Sequence, residues 1–324
     1  MKRILVTGGA GYIGSTLCTL LINSGYAVRA IDYLVFGGES LSHLATNPNF
    51  ELVNADIRDK EKLTKALNGI DGVVHLAAIV GDPACAKEPE KAESINWDAA
   101  VQLFDLVRET KSVKNFVFSS TCSNYGKMKG DGYVNEESEL TPVSLYARLK
   151  VKFEQYLMES DYREDLTATA LRFSTVYGYS TRMRFDLTVN EFTRDLFVGN
   201  NLVVFGEQFW RPYCHVRDLA RGAMLMLESP KEKINRTVFN VGDTSENYTK
   251  KMLVDLISKH IPEAEVEYVQ KSEDPRDYRV NFDKIKNTLG FEITSNVEEG
   301  VLEIIKVISS GFISNPNDSK YSNI

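Results

Sequence analysis

The sequence has no excess of basic residues. Among its 324 residues, 38 lysines and arginines face 45 aspartates and glutamates, which gives a net charge of −7. A protein that binds nucleic acid needs a positive surface to neutralise phosphates, and no stretch of this chain concentrates lysine and arginine. We therefore expect small-molecule partners and no nucleic-acid partner.

Cysteine and histidine are also scarce. The four cysteines include no Cys-x-x-Cys pair and the four histidines show no metal-ligand spacing: Cys18, Cys85, Cys122, Cys214, His43, His75, His215 and His260. This argues against a disulfide scaffold, and we expect no metal. The first residues read as a strand rather than a signal peptide, and no apolar run approaches the ~20 residues of a membrane helix. We expect a cytoplasmic protein that does not associate with membranes.

What the sequence does have is a glycine-rich turn near its start. An apolar run at residues 4–6 suits a buried parallel strand, and a helical pattern begins after four glycines, Gly8, Gly9, Gly11 and Gly14. Gly8 permits a tight turn, Gly11 lets a pyrophosphate approach the backbone, and Gly14 lets the helix pack on the strand. The free N–H groups at the helix start, at Tyr12 and Ile13, would face the phosphates.

A second predicted strand, at residues 26–31, ends at Asp32. This position is close to the ~20-residue offset at which an acid binds the adenosine ribose in dinucleotide-binding folds. A carboxylate there accepts hydrogen bonds from both ribose hydroxyls and repels a 2′-phosphate. The pattern predicts NAD rather than NADP, with a simple turn-forming aspartate as the alternative.

The third and fourth predicted strands would also deliver residues to a dinucleotide. The third leads to Asp56 and Ile57, where such a sheet meets the adenine, although capping of the helix that starts near Asp59 explains Asp56 equally well. The fourth ends at Ala77 and Ala78, which are small enough for the dinucleotide to lie over the sheet edge.

Three further residues suggest redox chemistry. A strand starting at Asn115 runs into Thr121, and a helix that begins near Ser144 carries Tyr146 and Lys150. Residues four apart share one helix face, one turn from each other. A Tyr–Lys pair taken alone is more often a solvated pair, but here it follows a glycine turn, an acid after the second strand and a threonine at a strand end.

Together these motifs resemble the extended short-chain dehydrogenase/reductase family, which includes nucleotide-sugar epimerases and dehydratases. The resemblance covers nearly the whole chain, in the segments Thr7–Ser15, His75–Ala78, Ser119–Gly126, Tyr146–Lys150, Leu171–Gly178, Arg211–Leu219 and Phe239–Gly242. It implies an α/β fold, with a doubly wound parallel-sheet Rossmann domain that binds NAD and a smaller α/β lobe that binds a nucleotide-diphosphate sugar.

The predicted domain boundaries follow from the same comparison of segments. The Rossmann domain comprises residues 1–175, with 213–243 returning to it, and the substrate lobe comprises 176–212 and 244–312. Residues 313–324 form a tail rich in serine and asparagine, which we expect to be loosely ordered.

The resemblance also implies the roles of the three redox residues. A tyrosine with a reference pKa near ~10 is a poor base unless a cation stabilises its phenolate, and Lys150 supplies a cation one turn away. On this interpretation Tyr146 takes the proton of a sugar hydroxyl while its carbon gives hydride to NAD, and Thr121 hydrogen-bonds the same oxygen. Lys150 also holds the nicotinamide ribose, so Tyr146 and Lys150 both contact the cofactor.

Substrate contacts are predicted from the later motifs. In the family, the first arginine of an Arg-x-Tyr-x-His-Val motif and a late arginine clasp the nucleotide diphosphate, which assigns Arg211 and Arg276 to this role. A surface ion pair is the alternative for each. Further predicted substrate contacts are Asp82, Arg182, Arg184 and Asn190.

The residues after Thr121 distinguish among the reactions. The family's 4,6-dehydratases carry an acid–base pair there and its sugar-acid decarboxylases a glutamate, whereas this chain has Cys122 and Ser123. Neither replaces a carboxylate, so oxidation or reduction at one carbon remains, most simply C4, with or without epimerisation. The segments 182–190 and 274–278 resemble a branch related to the GDP-heptose 4-dehydrogenases of bacterial surface-polysaccharide synthesis, which also includes UDP-glucose 4-epimerase-like chains. The alternatives are a 4-ketoreductase and a non-catalytic NAD-binding regulatory protein.

Two long helices are predicted near residues 89–110 and 144–160. The first has Ile95, Ala99 and Leu103 at helical spacing, which suits a core face or a dimer face. Because the family usually dimerises through these two helices, the resemblance implies a homodimer.

Overall fold

The computed structural model describes residues 1–128, 130–262, 265–270 and 276–323. The strands are β1 (Arg3–Thr7), β2 (Ala27–Asp32), β3 (Phe50–Asn54), β4 (Gly72–His75), β5 (Asn115–Thr121), β6 (Thr167–Phe173), β7 (Thr175–Tyr177), β8 (Leu202–Phe205), β9 (Trp210–His215), β10 (Thr237–Val241), β11 (Asn247–Thr249) and β12 (Val266–Val269). The helices are α1 (Tyr12–Asn23), α2 (Lys60–Ala66), α3 (Asp82–Lys87), α4 (Pro89–Glu93), α5 (Ala99–Glu109), α6 (Leu145–Glu159), α7 (Thr188–Val198), α8 (Val216–Glu228), α9 (Lys231–Ile234), α10 (Lys250–Ser258), α11 (Asp283–Leu289) and α12 (Val297–Ser309). None of these described helices is both long and apolar enough to span a bilayer.

The chain forms two compact units. The first consists of Met1–Thr121, Ser144–Arg172 and Ala220–Phe239, and the second of Cys122–Val143, Phe173–Leu219 and Asn240–Ile324. Four stretches differ from the predicted division. Residues 122–143, 173–175, 213–219 and 240–243 belong to the second unit, so the return to the first unit runs over Ala220–Phe239 rather than 213–243.

The first unit is built on a parallel sheet. Its seven strands have the order β10-β6-β5-β4-β1-β2-β3, and the pairs β1–β2, β1–β4, β2–β3 and β4–β5 are all parallel. All four residues of β4 are buried, as expected for a strand covered on both faces. From β1 the sheet grows in one direction through β2 and β3, and in the other through β4 and β5. The carboxyl ends of β1 and β4 therefore form the switch point at which such sheets bind ligands.

An aromatic cluster packs against one face of this sheet. The Phe118 and Phe153 rings lie 4.6 Å apart edge to face, and Phe104 and Phe116 lie 5.0 Å apart. These side chains join α5 and α6 to β5, so α6 is held rigidly over the strand that ends at Thr121.

The predicted helix at 89–110 is interrupted by a π turn. Residues Ser94–Asp98 form this turn between α4 and α5. It turns Asn96 inward, where the side-chain amide accepts a hydrogen bond from the Ile79 N–H and donates one to the Ile79 carbonyl, both at 2.8 Å. A helical hydrophobic pattern does not reveal such a turn, because the extra residue shifts only one turn of the helix.

The second unit contains two smaller sheets, β11-β9-β7 and β12-β8. Three helices surround a core that includes Tyr177, Val189, Leu253 and Val301. Because β9 pairs with β7 and β11, the strand that ends at His215 belongs to this unit. This pairing is the physical reason why the return to the first unit starts later than predicted.

The carboxyl-terminal tail is ordered, contrary to the expectation from its composition. A 3-10 turn spans Ser319–Tyr321, and the Tyr321 carbonyl accepts a hydrogen bond of 2.8 Å from the Phe185 N–H. Serine and asparagine predict an irregular backbone, but they do not predict whether that backbone docks on the rest of the chain.

Candidate active site

The glycine turn is folded tightly against two neighbouring elements. Gly8 has a φ of +71°, and a Cβ atom on it would lie 2.8 Å from the Ala77 nitrogen, at the end of β4. A Cβ on Gly14 would lie 2.1 Å from the Gly8 carbonyl oxygen. Any side chain at position 8 or 14 would displace the turn. Because both of these positions are glycine, α1 can start at Tyr12 and Ile13 directly beside the turn.

Asp32 is fixed next to this turn. One carboxylate oxygen accepts the Ala10 N–H at 3.0 Å and the other accepts the Leu34 N–H at 2.8 Å. Burial raises the pKa of this carboxyl, while the backbone N–H groups that it accepts act in the opposite direction. Asp32 is thus oriented by the backbone at the carboxyl end of β2.

Asp56 and Asp59, which follow β3, have different roles at the start of α2. Asp59 accepts the Lys62 N–H at 3.1 Å and caps α2, so Asp56 is not the cap. Asp56 instead forms an ion pair of 2.6 Å with Arg58, and hydrogen bonding to that guanidinium holds its pKa below the usual range. Ile57 beside it is buried.

Ala77 and Ala78 are positioned by a residue that the sequence analysis missed. The Thr7 hydroxyl accepts the Leu76 and Ala77 N–H groups, each at 3.2 Å, and contacts His75 Nδ1 at 2.7 Å. Because the hydroxyl oxygen accepts from the backbone, its proton is donated to His75. A threonine ending the first strand directly before the glycines was the available signal.

Thr121, Tyr146 and Lys150 all lie in the first unit. Lys150 is only 3% exposed, and its ammonium donates to the Ser119 carbonyl at 2.7 Å, two residues before Thr121 at the end of β5. The ammonium also lies 5.9 Å from the centre of the Tyr146 ring. The burial of Lys150 argues against a solvated Tyr–Lys pair, while Tyr146 is half-buried.

Burial changes the proton affinity of Lys150. Loss of water around the ammonium lowers the pKa of Lys150 to about 7. The lysine therefore carries its positive charge below this pH and loses it as the pH rises.

Asp82 begins α3, also in the first unit. It follows Gly81, which has a φ of +90°. Burial first, and then the Asp82 carboxylate, raise the pKa of the Cys85 thiol to about 11. Asp82 is partly exposed and remains a predicted contact of the sugar hydroxyls.

In the second unit, Arg211 and Arg276 act on the same two tyrosines. Arg211 is buried on β9, and its guanidinium lies 5.4 Å from the Tyr278 ring centre. Burial raises the pKa of Tyr213 and of Tyr278, and both arginines oppose that rise in each case. Both guanidinium groups thus influence the protonation of Tyr213 and Tyr278. Residues 274 and 275 of the predicted motif lie outside the described residues.

The other predicted substrate contacts in the second unit, Arg182, Arg184 and Asn190, form hydrogen bonds or ion pairs with other residues of the chain. Asn190 is fully buried, accepting the Gly178 N–H at 2.9 Å and donating to the Arg184 carbonyl at 2.8 Å. Arg184 forms a 2.5 Å ion pair with Asp186. Arg182 donates to the Met183 carbonyl and to the Asn323 side chain. The structure thus places Asn190 behind the loop rather than at its surface, and gives both arginines partners within the chain.

Comparison with known proteins identifies the family. Residues 4–242 match the model of the NAD dependent epimerase/dehydratase family. The chain belongs to this family. The predicted family and the doubly wound parallel-sheet fold are confirmed, and the family's dependence on NAD confirms the cofactor.

Several relatives match over nearly their whole length. A UDP-glucose 4-epimerase of Bacillus subtilis is 30% identical, over 91% of this chain and 94% of that protein. The structure of a Thermotoga maritima UDP-glucose 4-epimerase with UDP-glucose has a TM-score of 0.84 at 29% identity, covering 96% and 99% of the two chains. A Bacillus cereus UDP-glucuronic acid 4-epimerase, solved with UDP-glucuronic acid and NAD, gives 0.84 at 27%, covering 95% and 99%.

The residues of this epimerase/dehydratase family member fit the dinucleotide. Gly8 and Gly14 leave no room for a Cβ, so the turn lies tight against the start of α1, and Asp32 accepts the Ala10 N–H of the same turn. A helix start suits a pyrophosphate and a fixed carboxylate suits a ribose diol.

The family member also has a buried ion pair that the sequence analysis missed. Glu154 lies on α6, one turn beyond Lys150, and pairs with Arg172 at 2.5 Å, with both side chains 4% exposed. It also accepts the Ser120 hydroxyl at 2.7 Å. Glu154 thus ties the helix of Tyr146 to the strand of Thr121. Its position four residues after Lys150, on the same helix face, was the available signal.

His75 should make the stability of the enzyme sensitive to acid. Burial, and then the nearby Lys150, lower the pKa of His75 to about 3. The unfolded chain takes up this proton near pH ~6.5 and the folded chain does not, so folding stability falls as the pH drops through this range. Between about pH 7 and about pH 5 this histidine should remove about 2 kcal/mol of unfolding free energy.

The measurement is urea denaturation of the wild type and of His75→Gln at both pH values. Between about pH 7 and about pH 5, we expect the free energy of unfolding of the variant to fall by about 2 kcal/mol less than that of the wild type. Above pH ~7.5 the unfolding free energies of both proteins should respond alike to pH. An equal acid loss in the two proteins would show that His75 does not remain neutral.

Proposed function

We propose that this protein is an NAD-dependent 4-epimerase of a UDP-linked hexose. The observation that carries the proposal is the position of Lys150. Its ammonium is buried against the carbonyl of Ser119, which lies two residues before Thr121 on β5, and Lys150 follows Tyr146 by one helical turn. This arrangement supplies a base, a cation that stabilises its phenolate form and a hydrogen-bonding hydroxyl for one carbinol centre.

The cofactor would be held by residues of the first unit. The glycine turn with Tyr12 and Ile13 holds the pyrophosphate, Asp32 the adenosine ribose, and Asp56 and Ile57 the adenine. Further contacts come from Gly8, Gly11, Gly14, Ala77, Ala78, Tyr146 and Lys150. When bound, NAD accepts hydride from the sugar and returns it.

The chain's own residues handle the proton. Tyr146 takes the proton of the C4 hydroxyl as the C4–H bond breaks, which leaves a 4-keto sugar, and gives it back when the opposite face is reduced. The charged Lys150 lowers the cost of the phenolate, and Thr121 hydrogen-bonds the sugar oxygen throughout.

The residues beyond Thr121 favour epimerisation over loss of water. Cys122 and Ser123 begin a 3-10 turn, Cys122–Tyr125, in place of an acid–base pair. Loss of water from C5 and C6 requires a proton donor and a base, and a thiol with a hydroxyl supplies neither role well near neutral pH.

The nucleotide assignment rests on the second unit and on the relatives. Arg211 and Arg276 supply two guanidinium groups for a diphosphate, and Asp82 is expected to contact the sugar hydroxyls. The three relatives described above act on or bind UDP-linked sugars, which favours uridine. The resemblance of residues 182–190 to the GDP-heptose branch extends the proposal to sugars for a bacterial surface polysaccharide.

We extend the proposal to location and assembly. All four cysteines are free thiols, as in a reducing cytoplasm. The family's usual homodimer would use α5 and α6. Lys152 on α6 places its ammonium 3.8 Å from the ring centre of the half-buried Trp97, in the π turn before α5. Sedimentation equilibrium tests the dimer.

Mass spectrometry of products tests the activity. The purified protein is incubated with UDP-, GDP-, CDP- and dTDP-hexoses, with a keto acid as an alternative hydride acceptor. We expect an isomer of unchanged mass from a UDP-hexose, which chromatography before the mass spectrometer separates from the substrate. A product two hydrogens lighter would instead identify a 4-dehydrogenase, loss of water would overturn the interpretation of Cys122 and Ser123, and no change with any sugar would contradict the proposal.

A further inference from the structure

The segment that carries Arg182 and Arg184 is a loop without regular structure. It spans residues 178–186, between β7 and α7, and we call it the arginine loop. With no ladder of backbone hydrogen bonds of its own, such a loop depends on side chains to fix its conformation. Asn190, a buried residue of the second unit, is one side chain that fixes the loop, because it hydrogen-bonds Gly178 and Arg184.

The carboxyl-terminal tail makes a second set of contacts that fix the arginine loop. The Tyr321 carbonyl accepts the Phe185 N–H at 2.8 Å, and the two rings pack edge to face with centres 5.6 Å apart. Phe185 is buried. The tail therefore holds the middle of the arginine loop by a backbone hydrogen bond and by ring packing.

The last described residue of the tail, Asn323, contacts Arg182 and Asp186 of the arginine loop. The Asn323 side-chain oxygen accepts from Arg182 Nη2 at 3.0 Å, and the Asn323 N–H lies 3.4 Å from the Asp186 carboxylate. Arg182 is 6% exposed, and burial lowers its pKa. A buried guanidinium needs acceptors for its N–H groups, and the tail provides one of them.

Two more contacts anchor the tail at its start and middle. Ile313 is buried, and its N–H donates to the Val307 carbonyl at 3.3 Å. Asn200, just after α7, donates to the Asn317 side chain at 3.1 Å. Residues 312–323 are thus attached at three separate places on the second unit, as a strap over the arginine loop.

We propose that this strap, residues 312–323, is a positioning element for substrate: it holds the arginine loop in the conformation that binds the nucleotide-diphosphate sugar. The inference rests on the proposed function of the second unit. The loop carries two of the predicted substrate contacts, Arg182 and Arg184, and Glu303 also fixes its backbone by accepting the Tyr179 N–H at 2.8 Å. Arg182 then serves to dock the strap, and the loop is ordered before the ligand arrives.

Truncation and point variants test the strap. We compare the wild type with a chain ending at Gly311, with Asn323→Ala and with Tyr321→Ala, and use the exposed Ser319→Ala as the matched control. UDP-glucose serves as substrate if the wild type turns it over, UDP is the binding probe in every case, and NAD affinity is measured separately.

The expected result is a rise in KM without a matching fall in kcat. Truncation should raise KM, and the dissociation constant of UDP, at least about tenfold, and each point variant about three- to tenfold, as expected for the loss of one hydrogen bond or ring contact. kcat, NAD affinity and the Ser319→Ala control should stay within about twofold of the wild type.

Hydrogen exchange adds a readout that does not depend on activity. Exchange of the Phe185 amide should accelerate in Tyr321→Ala and in Asn323→Ala but not in Ser319→Ala. Unchanged KM and UDP affinity in both point variants would overturn the proposal. A lowered KM would also overturn it, by showing that the strap competes with substrate for Arg182.

The strap and the proposed function fail in different ways. If the wild type turns over no nucleotide sugar and binds no UDP, the proposed function fails. If the wild type is active and the point variants match it while the Phe185 amide exchanges faster, only the strap's role in binding fails.

Discussion

Tyr146→Phe is expected to lower turnover at least about 10³-fold while leaving NAD bound with the affinity of the wild type. The substitution removes only the phenolic oxygen, so the C4 hydroxyl loses its base, while Lys150 keeps its bond to the Ser119 carbonyl. The measurement pairs steady-state turnover of the nucleotide sugar with calorimetric titration of NAD.

Tyr156→Phe is the matched control. Tyr156 lies on the same helix, α6, but its hydroxyl donates to the Asp105 carboxylate at 2.7 Å, on α5. Its loss should change turnover by less than about threefold, since it removes only this part-buried hydrogen bond and the 3.3 Å bond that the hydroxyl accepts from Arg108, each worth about 1 kcal/mol. Normal turnover in Tyr146→Phe would refute the assignment of Tyr146 as the base.

Glu154→Leu is expected to cost about 3–5 kcal/mol of unfolding free energy, because it leaves the Arg172 guanidinium buried without its carboxylate. The pair is joined at 2.5 Å and both side chains are 4% exposed, so water cannot replace the lost partner. The measurement is the midpoint and slope of urea denaturation, converted to free energy for each variant.

Two further variants separate the charge effect from packing. In the double variant Glu154→Leu/Arg172→Met both charges are gone, and most of the lost stability should return. Glu61→Ala breaks the exposed pair with Lys65 at 2.6 Å and should cost less than about 0.5 kcal/mol. A single Glu154→Leu variant as stable as the wild type would show that the buried pair contributes little to the fold.

The residues that the sequence predicted well belong to short motifs. The glycine turn before α1, Asp32 at the end of β2, and the spacing of Tyr146 and Lys150 on one face of α6 are all local, because each is decided by a few neighbouring residues and the period of one element. The fold class followed from the order of such motifs, and the fold, the family and NAD are confirmed. The roles of the individual residues remain predictions.

The contacts that the sequence does not reveal depend on partners far along the chain. Arg182 meets Asn323, 141 positions later, and Thr7 meets His75, 68 positions later. An arginine that binds a carbonyl or an amide has the same sequence signature as one that binds a phosphate, since its donors are identical. Only tertiary structure shows that Asn190 and Arg182 face inward.

The order of the strands has a consequence for synthesis on the ribosome. The sheet of the first unit ends with β10, from Thr237–Val241, beside β6, although β6 is complete at Phe173. Until residue 241 has been translated, the nascent chain carries β6 as an open edge that can pair with another chain. We therefore expect products arrested between residues 173 and 237 to aggregate, and longer products to be protected by the arrival of their last strand.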